Sequence, residues 1–221
     1  MSEKSVNLIK LAGLIAGDGC IDQRGRIIFK HSTIQKEYAD YKAEKLFEYF
    51  GLKYNKYLCK KQENSFSTND NYVIQTHPTP VIKNLRTLWY SNSKKNIPNE
   101  LYENFTAEEW SFLYQDDGRL NKISHYNVMQ NGIRVRKDCK PFVNRYEISL
   151  GFPTDELLQA LQNSLLKYGI ESSILVRKDK QRNLSISKSE SKIKFYNLIK
   201  DYIHPSMNYK INILPTLKYL A

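Results

Sequence analysis

Apolar residues crowd every side of one short stretch near the start of the chain, Leu11-Ala12-Gly13-Leu14-Ile15-Ala16-Gly17-Asp18-Gly19. A stretch with no polar face predicts a helix buried all round. The pattern starts this helix near Val6 and stops it at Asp18-Gly19, with Gly19 as the stop signal. Gly13, Ala16 and Gly17 are small, and glycine weakens a helix interior by roughly 1 kcal/mol against alanine. Two glycines in so short a helix predict the close approach of another backbone. Asp18 conflicts with its setting. A carboxylate at a helix C-terminus faces the negative end of the macrodipole, and beside apolar residues it resists loss of water. A cation would resolve both conflicts. Trp110-Ser111-Phe112-Leu113-Tyr114-Gln115-Asp116-Asp117-Gly118 repeats the arrangement, an apolar run ending in Asp-Gly. Side by side, the two helices would bring Asp18 and Asp117 together, and two close carboxylates repel unless a proton or a metal sits between them.

The remaining pattern falls around these two helices. A turn at Asp22-Gln23-Arg24-Gly25 leads into a strand over Arg26–His31. Alternation puts Arg24, Arg26 and Lys30 on one face and Ile27 and Phe29 on the other. Residues 36–50 read as a helix with Tyr38, Tyr41, Leu46, Phe47 and Phe50 on one side and Gly51 as its stop. Strands follow near 54–61 and 72–76, joined by a loop over 63–70, and a helix over 81–90 closes the series. Residues 91–105 read as a linker, because the polar run and Pro98 argue against regular structure. Thr106 then supplies an N-cap, with Glu109 completing a capping box. The order repeats: strand patterns over 119–129, 132–137 and 145–150, a helix from Pro153-Thr154 to Tyr168-Gly169, strands over 173–177 and 183–187, and a helix over 189–202. Residues 124–144 are an enlarged, basic addition to the second round. The whole predicts an α+β protein of two αββαββα halves, 1–90 and 106–221, related by an internal two-fold axis.

Charge narrows the function. The 221 residues carry 34 Lys and Arg against 23 Asp and Glu, a net +11. That excess is the footprint of a nucleic-acid binder or, less often, of a protein held at a membrane surface. No apolar run is long enough to span a bilayer, and the N-terminus lacks the pattern of a signal peptide. The three cysteines, Cys20, Cys59 and Cys139, are scattered and show no zinc-ligand spacing, so a reducing, intracellular compartment is expected.

Leu11–Gly19 and its degenerate copy Trp110–Gly118, with the repeated order of elements, resemble the LAGLIDADG homing endonuclease family in its single-chain, two-motif branch. The resemblance implies two saddle-shaped antiparallel sheets over DNA, with paired central helices delivering Asp18 and Asp117 across the minor groove. It implies a monomeric, site-specific endonuclease that cuts both strands of a long, nonpalindromic duplex and leaves 3′ overhangs. It implies a role in intron mobility, in a bacterial or phage cytoplasm or an organelle. Asp18 and Asp117 would be catalytic and metal-holding, and the carbonyls of Gly17 and Asp116 would add oxygen ligands. Such a site suits Mg²⁺, with Mn²⁺ substituting and Ca²⁺ binding without supporting cleavage. Lys95 and Lys210, each after the last helix of a half, match the family's basic residues near the metal, with Lys94 competing for the place of Lys95. Phe112 and Gln115 stand where small residues would let the helices touch, which predicts a looser or lopsided crossing. RNA maturation with an intron RNA as partner is the alternative on this fold, and DNA binding without cleavage is a third.

The nucleic-acid face is assigned by alternation. Arg24, Arg26 and Lys30 are mirrored by Arg134 and Arg136, where Ile133 and Val135 would point to the core, and the adjacent Lys137 joins the set as a further cation. Arg145 stands opposite Tyr146 and Ile148, and Arg177 and Arg182 flank the last hairpin. A two-stranded ribbon fits the major groove, where arginine reads guanine or binds phosphate. His31, His77, His125 and His204 show no ligand spacing and are read as structural.

Overall fold

The structure, a computed structural model, describes residues 3–60, 70–130, 133–151 and 153–212. The first half runs α1 (Glu3–Ala16), β1 (Gly19–Ile21), β2 (Ile27–Ser32), α2 (Lys36–Phe50), β3 (Tyr54–Cys59), β4 (Asn71–Thr76) and α3 (Pro80–Trp89). A short hairpin, β5 (Tyr90–Ser91) and β6 (Lys94–Lys95), and a one-turn helix, α4 (Asn99–Glu103), lead to the second half. That half runs α5 (Ala107–Asp117), β7 (Gly118–Gln130), β8 (Ile133–Ser149), α6 (Asp155–Leu166), β9 (Ser173–Val176), β10 (Arg182–Ile186) and α7 (Ser189–Ile199). The fold is α+β. Two antiparallel four-stranded sheets have the orders β1-β2-β4-β3 and β7-β8-β10-β9, so the second repeats the first.

The repeat extends to register. Gly19 faces Phe29 across the first hairpin as Gly118 faces Ile148 across the second. By that correspondence position 31 matches 150, 38 matches 157 and 42 matches 161, and the starts of α2 and α6 agree with it. One apolar core runs through both halves, from Leu14, Phe29 and Tyr38 to Trp110, Tyr146 and Phe195.

Several elements depart from the pattern. Helix α1 begins at Glu3, earlier than the apolar run and in polar sequence, because its first turns need no enclosure: Lys4 and Val6 face solvent, and only the later turns are covered. It ends at Ala16, and Gly19 opens a strand instead of stopping the helix. A Cβ on Gly19 would stand 2.6 Å from the Ile15 Cα, which explains the glycine by close approach. The expected linker is partly regular. Asn92 and Ser93 take the left-handed φ values, 49° and 62°, that close a tight hairpin. Pro98 precedes a helix instead of forbidding one.

The strands expected over 132–137 and 145–150 are one strand, β8, of 17 residues. With β7 it forms a long ribbon whose register breaks between the pairs Ile123–Phe142 and His125–Asp138. Pro141 falls in that irregular stretch, where no ladder hydrogen bond is required of it. On α2, Phe47 is 55% exposed, while Lys42 at the i+4 position from Tyr38 is fully covered. The closing helix ends at Ile199 and continues as a tighter turn over Lys200–Tyr202. The loop over 63–70, apart from Asp70, and the side chain of Ile133 lie outside the described residues, and Val135 is half-buried.

Candidate active site

The paired helices α1 and α5 make the floor of the site. They touch where α1 lacks side chains. A Cβ on Gly13 would stand 2.9 Å from the Cα of Glu109, and one on Gly17 would stand 2.3 Å from the Cβ of Asp116. The crossing is close at these points, not loose, because the Phe112 and Gln115 side chains turn elsewhere, and it is one-sided, with glycines of the first motif against Glu109 and Asp116 of the second. Phe112 packs on Tyr41, ring centroids 5.9 Å apart. Gln115 donates to the carbonyls of Ser111 and Tyr202 and accepts from the His204 N–H at 2.7 Å. The start of α5 is fixed as its sequence requires, with the Glu109 carboxylate accepting from the Thr106 N–H at 2.9 Å.

At the C-terminal ends of these helices stand Asp18 and Asp117. Burial pushes the Asp117 carboxyl up to about 7, and the charges of Asp18 and Asp116 push the same way. Burial and the Asp116 charge also raise Asp18, although 43% of its side-chain surface remains exposed. Asp117 therefore sits within the field of Asp18. Lys95 donates to the carbonyls of Ile15, Ala16 and Gly17 at 2.6, 2.9 and 2.7 Å. Lys210 donates to those of Gln115 and Asp116 at 2.5 and 3.1 Å. Each ammonium thus caps one motif helix at its negative end. Lys94 is exposed, so the inward lysine of that pair is Lys95. Burial lowers both ammonium groups, Lys95 to about 8.

Beneath Asp18 lies a polar cluster that hydrophobic patterning does not reveal. The Asp116 side chain is fully covered and meets the equally covered Lys42 ammonium at 2.6 Å. Its Oδ1 accepts from the Tyr38 hydroxyl at 2.9 Å, and its Oδ2 from the Asp18 backbone N–H at 3.0 Å. Burial works to raise the Asp116 carboxyl, but Lys42 and the surrounding donors hold it below the ordinary range. His31 points into the same space, its Nδ1 3.6 Å from Asp18 Oδ2. The sequence carries one signal for Lys42: it shares the apolar i, i+4 stripe of Tyr38 and Leu46. For His31 the signal is its alternation in register with Ile27 and Phe29 on the inward face.

The donor set fits a divalent cation. The carboxylates of Asp18 and Asp117 and the carbonyls of Gly17 and Asp116 are hard oxygen donors, as Mg²⁺ or Mn²⁺ requires. Each of those carbonyls accepts from one lysine and keeps a second lone pair. Ligand atoms of Asp18, His31 and Asp116 lie within 4.8 Å of one another. A cavity of about 290 Å³ opens beside Asp117, lined by Gly17, Lys95, Ser149, Leu150 and Leu157 among others.

The expected nucleic-acid residues are unevenly placed. Arg24 and Lys30 are exposed, whereas the Arg26 guanidinium is held by Asp22, with Nε at 2.7 Å. Arg134, Arg136 and Lys137 are exposed along the β7–β8 ribbon, with Arg136 3.5 Å from Asp138. Arg145 pairs with the covered carboxylate of Glu147, and so does Arg119, which alternation alone does not assign to this face. Arg177 donates to Gln181 at 3.3 Å. Arg182 is turned onto Asp155 and the Pro153 carbonyl at the start of α6.

Comparison with known proteins agrees with this fold. The sequence profile of the LAGLIDADG DNA endonuclease family matches residues 10–194. An uncharacterized protein of Methanocaldococcus jannaschii is 28% identical over 209 residues, which cover 94% of this chain and 74% of that protein. The homing endonuclease I-WcaI bound to its DNA recognition sequence has a similar fold, with a TM-score of 0.70 and 20% identity over 97% of this chain and 89% of its own. I-DmoI in complex with DNA and Mn is similar at a TM-score of 0.51, with 15% identity over 88% of this chain and 96% of its own.

Proposed function

The chain belongs to the LAGLIDADG DNA endonuclease family, and on that premise we propose that it is a metal-dependent, site-specific endonuclease of double-stranded DNA. The observation that carries the proposal is the meeting of two acid-tipped helix ends, where burial first and then the Asp18 and Asp116 charges raise the Asp117 carboxyl. Asp18 and Asp117 would hold divalent ions with the carbonyls of Gly17 and Asp116. Bound there, Mg²⁺ or Mn²⁺ would activate water, polarise the phosphorus centre and neutralise the leaving oxygen. Lys95 and Lys210 hold positive charge where the pentavalent phosphate would accumulate negative charge. That both are buried and pinned to backbone carbonyls sets their positions before substrate arrives.

Arg24, Lys30, Arg134, Arg136 and Lys137 bind the duplex, with Arg119 and Arg145 held in place by Glu147. Arg26, Arg177 and Arg182 would first have to leave the partners they have here. The net +11 supports an electrostatic share in that binding. Because the two halves differ in sequence, a monomer would read a nonpalindromic site, approach across the minor groove and leave 3′ overhangs. Mn²⁺ would substitute for Mg²⁺, and Ca²⁺ would bind without supporting cleavage. An intracellular, reducing setting suits the three free thiols.

Selection of cut molecules from a randomised duplex library in Mg²⁺ would define the target. On that target Asp18→Asn and Asp117→Asn should each abolish double-strand cleavage while leaving binding in Ca²⁺ intact. Full cleavage by either variant would overturn the assignment. Retained DNA binding without any metal-dependent cutting by the unaltered chain would instead favour a regulator, and protection of an intron RNA a maturase.

A further inference from the structure

His31 is buried, 2% exposed, yet among the described residues neither ring nitrogen has a hydrogen-bond partner. The Gln35 amide approaches the ring without closing a bond that meets ordinary geometry. Leaving a buried polar group unpaired costs about 1–3 kcal/mol. An apolar side chain would fill the same volume without that cost, and the second half shows it. The position matching His31 is Leu150, those matching Tyr38 and Lys42 are Leu157 and Leu161, and the one matching Asp116 is Gly17. The polar cluster is therefore not demanded by the fold. It occurs once, on the Asp18 side.

The unpaired nitrogen has a direction. Nδ1 is aimed at Asp18 Oδ2, 3.6 Å away, too far for a hydrogen bond and suited to two ligands of one ion. Asp116 can complete the set, since its Oδ1 accepts one hydrogen bond, from Tyr38, and keeps a lone pair. Entry is open from the exposed face of Asp18.

We infer that Asp18, His31 and Asp116 form a one-sided nitrogen–oxygen site for a divalent transition ion, Mn²⁺ among them, beneath the Asp18 end of the helix pair. The inference rests on the reading of Asp18 as a metal ligand. It adds to that reading a nitrogen donor and an inequality between the two sides, because among the described residues the lining beside Asp117 has no imidazole. An imidazole ligand shifts preference from Mg²⁺ toward the transition series.

The test uses the full chain without DNA, loaded with Mn²⁺. Electron spin-echo modulation should show the ¹⁴N coupling of one imidazole. Loss of that coupling in both His31→Ala and His31→Gln, and its persistence in Asp117→Asn, would support the site. In competition, the unaltered chain should prefer Mn²⁺ over Mg²⁺ by at least about tenfold, and His31→Ala should lose most of that preference. Failure of the unaltered chain to bind Mn²⁺, absence of nitrogen coupling in it, or coupling unchanged in the His31 variants would each overturn the site. The unaltered chain decides the matter even if a variant fails to fold. Cleavage is not the readout. A nuclease without the nitrogen signal would refute this inference alone, and a nitrogen signal without cleavage would refute the nuclease reading alone.

Discussion

Lys42 has no exposed side-chain surface, and its ammonium stands 2.6 Å from a carboxylate, Asp116, that is equally covered. Removing one partner of such a pair leaves an uncompensated buried charge and costs about 3–5 kcal/mol. Lys42→Met should therefore lower the urea midpoint sharply, and the double variant Lys42→Met/Asp116→Asn should recover much of the loss. Asp117 makes the opposite kind of statement. Its carboxyl rises from an ordinary value of 3.8 to about 7 on folding, so the folded chain holds a proton that the unfolded chain releases. Stability referred to this group is greatest below pH 4, declines as pH rises, and reaches its lowest level above pH 7. In metal-free buffer Asp117→Asn should be more stable than the unaltered chain at pH 8, and the difference should vanish toward pH 4. Thermal unfolding would read it, at about 2–4 °C for each kcal/mol relieved.

Among the elements, the packing of α1 on α5 sets the spacing of the site. Gly17 is where the two helices come closest beside Asp18 and Asp117, and an added Cβ would collide with the Cβ of Asp116 at 2.3 Å. Overpacking of that kind costs about 1–3 kcal/mol. Gly17→Ala should lower the denaturant midpoint accordingly and weaken metal binding by parting Asp18 from Asp117. Gly51→Ala is the control. Gly51 ends α2 at φ 63°, and a methyl group added there would have nothing within 4 Å, so its cost is conformational alone, about 1 kcal/mol. The β7–β8 ribbon shows the converse, an element formed by pairing far from the core, with Met129 67% exposed near its tip.

At the scale of the whole molecule, two similar halves meet at one site and differ in what they bring to it. The first half surrounds Asp18 with Lys42, Tyr38 and His31; the second surrounds Asp117 with leucines and a cavity of about 290 Å³. The distribution of free cations is uneven as well. Replacing Arg134, Arg136 and Lys137 together by serine should weaken duplex binding and flatten its salt dependence by about one unit of slope for each phosphate no longer neutralised. Arg182→Ser should change the slope less, because Asp155 already holds that guanidinium. Filter binding across a salt series would distinguish the two.

The chain's own pattern determined the two enclosed helices, their acid tips and the repeated order of strands and helices, while Lys95 and Lys210 were singled out only by the family resemblance. The helices, tips and order depend on local spacing and on apolar periodicity, which are written along the sequence. Tertiary structure alone decided which side chains meet. Asp116 differs from Asp117 by one position on the same helix, and only the packing of α5 against α1 and α2 buries the first and leaves the second at the cavity. Lys42 and His31 carry ordinary polar identities on inward-facing positions, and their significance appears only when separate elements converge. The tight hairpin inside the expected linker and the unbroken β8 likewise arose from backbone pairing, which hydrophobic alternation does not encode.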